Sequence, residues 1–252
     1  MIRLIVILAA CLGLTVKAGA ETVVAGLSHD AISITTNFEG SEILIFGAVR
    51  RDRPPPEGSD LEVIVTVEAP ARPVTVRRKA RRFGIWMNTD AIEVDAAPTF
   101  YAVAATGRLD EVMTATEDLR HRVSIPMAIR AVGTGVGDQD TFIEALIRIR
   151  TDEGLYQLNE GAVTLRDQTL FDTAVRLPAN LVEGDYRTRI FLTRNGEVVD
   201  AFSQDIAVRK VGLERWIFNL AHDRPLAYGI LSLAIAIAAG WGASAMFRYI
   251  RS

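Results

Sequence analysis

The sequence predicts a mainly β protein: immunoglobulin-like β-sandwich units with two intervening helices, followed by one C-terminal transmembrane helix. Three observations carry this expectation. β-branched and aromatic runs recur roughly every 8 to 12 residues between turn formers. Asn195-Gly196 separates two alternating runs, the signature of a type I′ hairpin turn. Near the C-terminus, Leu226 to Phe247 is 22 residues without a charge, long enough as a helix to match the hydrocarbon core of a bilayer.

The chain begins with Met1-Ile2-Arg3, an uncharged run from Leu4 to Val16, and Ala18-Gly19-Ala20. A charged start, a short apolar stretch and a small-residue cleavage site are the three parts of a secretory signal, so residues 1–20 are set apart from the fold. Leu8-Ala9-Ala10-Cys11 also resembles a lipobox, whose cysteine would become the lipidated first residue. Cleavage after Ala20 instead discards the single cysteine, leaving a body with neither disulfide nor thiol nucleophile.

In the first part of the body, residues 21–106, Ala31–Thr36, Ile43–Val49, Leu61–Val67 and Arg72–Arg77 read as strands of a β-sandwich domain, separated by Asn37–Ser41 and Asp52–Asp60. The period changes at Arg108. Leu109, Val112, Met113 and Leu119 recur at helical spacing, with Asp110, Glu111, Glu117 and Asp118 expected on the solvated face. A second helix follows Gly133–Gly137, capped by Asp138 or Asp140, striped by Phe142, Ala145, Leu146 and Ile149, and stopped by Gly154. From Leu155 the β pattern returns. Tyr186 occupies the place of a corner tyrosine, and Tyr186–Thr193 and Glu197–Val208 flank the Asn195-Gly196 turn. Residues 107–210 are thus expected to hold the helical segment and a second β unit; one larger sandwich with a helical insertion is the alternative.

Residues 211–225 bring Leu213, Trp216, Ile217 and Leu220 to one face of a short helix, suited to the bilayer surface or to packing as a connector. The expected transmembrane helix spans 226–247, with Pro225 at its start and Tyr228 and Trp241 toward its ends. Basic residues do not favour a cytoplasmic tail: Arg209, Lys210, Arg215 and Arg224 precede the helix and Arg248 and Arg251 follow it. The export signal decides the orientation, with the body outside and the tail, 248–252, inside.

Charge excludes one class of partner. Twenty-eight basic against 31 acidic residues give a net charge of −3, whereas a nucleic-acid-binding domain is usually strongly basic. Five cations nonetheless crowd into six residues, Arg77, Arg78, Lys79, Arg81 and Arg82. Such a run lies in solvent along a strand edge or meets an acidic partner, an anion or lipid head groups. In the membrane helix, Ala236, Gly240 and Ser244 repeat at four-residue spacing, which lets a second helix approach. His29, His121 and His222 lack the spacing of metal ligands, Gly133–Gly137 lacks the Gly-Lys-Ser/Thr ending of a phosphate loop, and no serine sits in Gly-x-Ser-x-Gly. No cofactor, metal or catalytic residue is expected.

Phe83-Gly84-Ile85-Trp86-Met87-Asn88, Pro98-Thr99-Phe100-Tyr101-Ala102-Val103, and Ala227-Tyr228-Gly229 with Gly240-Trp241 resemble motifs of the alphaproteobacterial putative transmembrane protein family. The resemblance covers nearly the whole chain. It implies an inner-membrane protein with a periplasmic body, of a kind often encoded beside a sulfite-exporter-type permease, and supplies no catalytic residues; Trp86, Asn88 and Tyr101 match its motifs. The expected role is a non-enzymatic accessory protein that touches the lipid bilayer and a membrane permease. The alternatives are a sulfur-oxyanion binding module built on the basic cluster with Trp86 and Asn88, and a hydrolase whose site leaves no sequence signal.

Overall fold

A computed structural model describes residues 21–29, 31–34, 39–51, 58–131, 139–210 and 213–250. The expected signal, Cys11, the Gly133–Gly137 segment, much of Asp52–Asp60 and Arg251 lie outside the described residues.

Among the described residues, seven strands come first: β1 (Glu21–Leu27), β2 (Ala31–Ile34), β3 (Ser41–Arg51), β4 (Leu61–Glu68), β5 (Ala71–Arg82), β6 (Ile85–Pro98) and β7 (Tyr101–Ala105). A helical stretch follows, with α1 (Leu109–Val112), α2 (Ala115–His121), α3 (Ile125–Ala128) and α4 (Gln139–Asp152). The chain then returns to strands β8 (Tyr156–Glu160), β9 (Thr164–Arg166), β10 (Leu170–Leu177), β11 (Gly184–Arg194) and β12 (Glu197–Lys210), and ends in α5 (Leu213–Asp223) and α6 (Pro225–Ile250). The body is mainly β, as the sequence predicts.

The described strands form a four-stranded sheet in the order β1-β3-β10-β9, a six-stranded sheet in the order β2-β12-β11-β4-β7-β8, and the separate β5–β6 ribbon. Strands on either side of residue 106 share both sheets. β3 pairs antiparallel with β10, β4 antiparallel with β11, and β2 parallel with β12.

Alternation explains how these sheets make a core. Ile43, Ile45 and Val49 of β3 with Phe171, Val175 and Leu177 of β10 line the inner face of the smaller sheet, and Val63, Val65, Val67, Ile190, Leu192 and Ile206 come from the larger. All are buried in one cluster. β4 carries little polar–apolar alternation between Val63 and Val67 because its other face is covered too: Ile64 and Thr66 are also fully buried. The cover is the helical stretch. Tyr101 on β7 donates its hydroxyl proton to the Val123 carbonyl (2.8 Å), Arg189 on β11 donates to the His121 carbonyl (2.7 Å), and the His121 ring meets Phe191 edge-on. Gly47 on β3 answers a close approach, since a Cβ there would stand 2.5 Å from the Phe171 ring and 2.8 Å from the Val24 carbonyl oxygen.

The helix expected from Arg108 is two pieces, and the break reverses part of the amphipathic pattern. Thr114 is extended because its N–H is given to the Gly196 carbonyl of the hairpin turn (2.9 Å); its hydroxyl then accepts the Glu117 N–H (3.4 Å) and starts α2 in a new phase. Leu119, expected inside, is 68% exposed. Glu117, expected in solvent, is 6% exposed, with Arg120 Nη1 2.6 Å and His121 Nε2 3.4 Å from its carboxylate and the Val198 N–H donating to Oε2. Its neighbour Asp118 accepts the N–H groups of Val123 and Ser124 (3.0 and 2.7 Å), closing the turn after α2. In α4, Phe142 and Leu146 are buried and Gly154 follows at φ +71°, but Ile149 of the expected stripe is exposed.

The hairpin signal of the second half is realised in full. Asn195 and Gly196 have φ of +50° and +79°, the pair of values that a type I′ turn needs, and β11 and β12 pair from Gly184–Val208 to Arg194–Glu197. Tyr186 donates its hydroxyl proton to the Val182 carbonyl four residues upstream, at 2.8 Å, with its ring against Phe100.

Candidate functional site

The basic cluster lies on the β5–β6 ribbon, and pleating sorts it. Val74, Val76 and Arg78 pair with Val94, Ile92 and Asp90 on the face toward the body. Val76, Ile92 and Val94 are buried there, and the Arg78 guanidinium lies over the Phe142 ring of α4, 4.6 Å from its centroid. Beyond a bulge in register after Arg78, four pairs continue outward: Lys79–Asn88, Ala80–Met87, Arg81–Trp86 and Arg82–Ile85. At about 3.3 Å per residue they extend the ribbon by about 13 Å. Arg77, Lys79, Arg81, Trp86 and Asn88 share one face; Ala80, Arg82, Ile85 and Met87 share the other.

The cluster is therefore split. Arg77, Lys79 and Arg81 stand with Trp86 and Asn88, Arg82 is turned away from them, and Arg78 is engaged by the body. Sequence reasoning does not pick out Phe83, which caps the ribbon. It holds φ +53° before Gly84 at +84° and is fully exposed. A hydrophobic stretch bracketing Gly84 directly after the cations is the signal that was there to read.

Tyr101, which matches the separate motif Pro98–Val103, is a core residue. Burial pushes its hydroxyl pKa well upward, and burial likewise pushes Tyr156 and Tyr186 up to about 12. These phenols stay protonated near neutral pH and act as donors to the carbonyls of Val123, Pro98 and Val182. The histidines are dispersed: His29 beside the Ser28 hydroxyl, His121 against Glu117, and His222 stacked on Phe218. An open groove beside β8 mixes Glu42 and Glu160 with Arg176 and gathers no single sign of charge.

At the C-terminal end, α6 runs from Pro225 to Ile250, three residues beyond the expected span at its end, and Pro225–Ser244 is long and apolar enough to cross a membrane. Ala236, Gly240 and Ser244 lie exposed at four-residue intervals, and nothing stands within 4 Å of where a Cβ on Gly240 would be. Before it, Ile217 is exposed and Leu220 half-buried on α5.

A β-rich body followed by one apolar helix of this length defines the class as a membrane protein with a folded extramembrane body. The comparison with family models agrees: residues 22–249 match the family described as "Putative transmembrane protein", and the chain belongs to that family. No curated protein matches the chain.

Proposed function

We propose that the protein is a non-enzymatic accessory component that works by contact. Its body stands on the periplasmic side of the inner membrane, α6 tethers it, and the short tail is cytoplasmic. The seam of Ala236, Gly240 and Ser244 packs against a helix of a membrane partner, for which a sulfite-exporter-type permease is the candidate. One observation carries this reading: the seam is open along an apolar helix, with free space over Gly240, so a second helix can come close enough for backbone contact.

The test is co-purification of the permease with the full chain in mild detergent. Wild type is expected to retain it, and the Ala236→Leu/Gly240→Leu/Ser244→Leu variant to lose it. Equal recovery by both would remove the helix as the contact surface. A reporter that is active only outside the cytoplasm, fused after Val208, is expected to be active; silence there would reverse the orientation. Turnover of generic esters or phosphates by the purified chain would replace this role with a hydrolytic one.

The cationic face favours a second reading, a sulfur-oxyanion binding module using Arg77, Lys79 and Arg81 with Trp86 and Asn88. Titration with sulfite and sulfate decides it, since neither heat nor thermal shift is expected if the face serves another purpose.

A further inference from the structure

We propose that the tip of the β5–β6 ribbon is a membrane-docking wedge that enters the headgroup region of an anionic phospholipid surface. This is independent of what α6 touches.

The first ground is an arrangement that folding itself does not ask for. The apex of a two-residue hairpin turn favours Asn, Asp or Gly, because its residues adopt positive φ. Here Phe83 holds φ +53° and is 102% exposed. A bulky aromatic in that region is strained, and its ring gains nothing from the body. Around it, Ile85, Trp86 and Met87 are 61%, 70% and 45% exposed. Single exposed apolar residues are ordinary; four within five positions at the end of a projecting ribbon are a patch.

The second ground is charge. Between Arg77 and Ala91 the ribbon carries five cations and one carboxylate, Asp90, in a chain whose net charge is −3. Arg78, paired across the ribbon with Asp90, is turned to the body. Lys79, Arg81 and Arg82 lie in the outward four pairs, just behind the apolar apex. This is the order a bilayer interface selects: apolar groups deepest, an indole at the boundary, and long basic side chains reaching back to phosphate.

The third ground is shape. Both faces of the outer ribbon combine a cation with apolar groups: Arg81 with Trp86, and Arg82 with Ile85 and Met87. A side-on groove for a peptide would load one face. The cations form no single ring: Arg77, Lys79 and Arg81 stand in a row about 7 Å apart along one face, and Arg82 lies on the other, so they line an extended surface. A wedge with the same chemistry on both sides fits a surface entered end-on. The chain also carries its own membrane helix, and such a tether raises the effective concentration of the tip at the lipid surface.

The experiment uses the full chain in nanodiscs of phosphatidylcholine, with and without phosphatidylglycerol. In a Cys11→Ser background, Ile85→Cys carries an environment-sensitive fluorophore, and Asn180→Cys on the body is the control. With phosphatidylglycerol present, the label at 85 is expected to shift to the blue and to be quenched by lipid-borne quenchers, while the label at 180 does neither. Lys79→Glu/Arg81→Glu/Arg82→Glu is expected to lose both signals. Phe83→Asn is the sharper variant, since it suits the turn better: it is expected to keep or raise the melting temperature while weakening the quenching. Several results would overturn the proposal: no response at 85, a response equally strong in phosphatidylcholine alone, one that survives charge reversal with the melt intact, or one evoked by free sulfite or phosphate without anionic lipid.

Discussion

Arg194 grips Glu21 with two nitrogens, Nε 2.8 Å from one carboxylate oxygen and Nη2 2.7 Å from the other. Arg51 Nε adds a third contact at 2.8 Å, and Arg194 also donates to the Ser59 carbonyl. The two partners of the fork are 8% and 11% exposed, so this is a nearly buried, two-pronged ion pair joining the first strand to the end of β11.

Removing one partner of such a pair strands the other. Glu21→Gln is therefore expected to destabilise the body by about 3 kcal/mol at neutral pH, read from urea unfolding of the detergent-solubilised chain. The hydrogen bond from Arg194, then that from Arg51, holds the Glu21 carboxyl below its usual range against an opposing effect of burial. The linked stability is present above the ordinary glutamate value near about 4.3 and drains as pH falls through the lower folded value. Wild type should lose stability on acidification in that window, and Glu21→Gln should lose less there.

Glu117 makes a comparison within one segment. Glu117→Ala empties a buried site and leaves the Val198 N–H without its acceptor, and a cost of about 2 kcal/mol is expected. Glu111→Ala, on the exposed side of α1, should stay within about 0.5 kcal/mol. Equal melts for the two variants would contradict the burial described for Glu117.

Tyr186→Phe keeps the ring against Phe100 and deletes only the bond to the Val182 carbonyl. The expected loss is about 1 kcal/mol, seen as a lower urea midpoint with an unchanged slope.

Strand pairing across residue 106 leads to a prediction about folding units. We propose that residues 21–210 fold together, because without β10 and β11 the strands β3 and β4 each lose one of their two neighbours and β2 loses β12. A fragment of residues 21–106 should give no cooperative melt and poor amide dispersion, whereas 21–210 should give both. A folded short fragment would restore the division into two β units.

What could be read in the sequence is what local chemistry dictates. Asn195-Gly196 announces its turn because few other residues accept two positive φ values, and Leu226–Phe247 announces a bilayer span by length and lack of charge. The ribbon tip was legible as charge but not as shape: Phe83 is an improbable turn residue, so β5 and β6 do not declare themselves a hairpin. The partners of β3 and Glu117 were hidden for another reason. Ile45 faces Thr173, and the N–H reaching Glu117 belongs to Val198; contacts so distant along the chain leave no periodic trace. The same distance explains why Arg194 gave no sign of its role.

The last strand has one more consequence. Val208 is flanked by Gly184 of β11 on one side and Ile32 of β2 on the other, and α5 begins three residues after Lys210. A pull along the axis of this strand would load both rows of bonds together, as in a lap joint, whereas a pull across it would break them one link at a time.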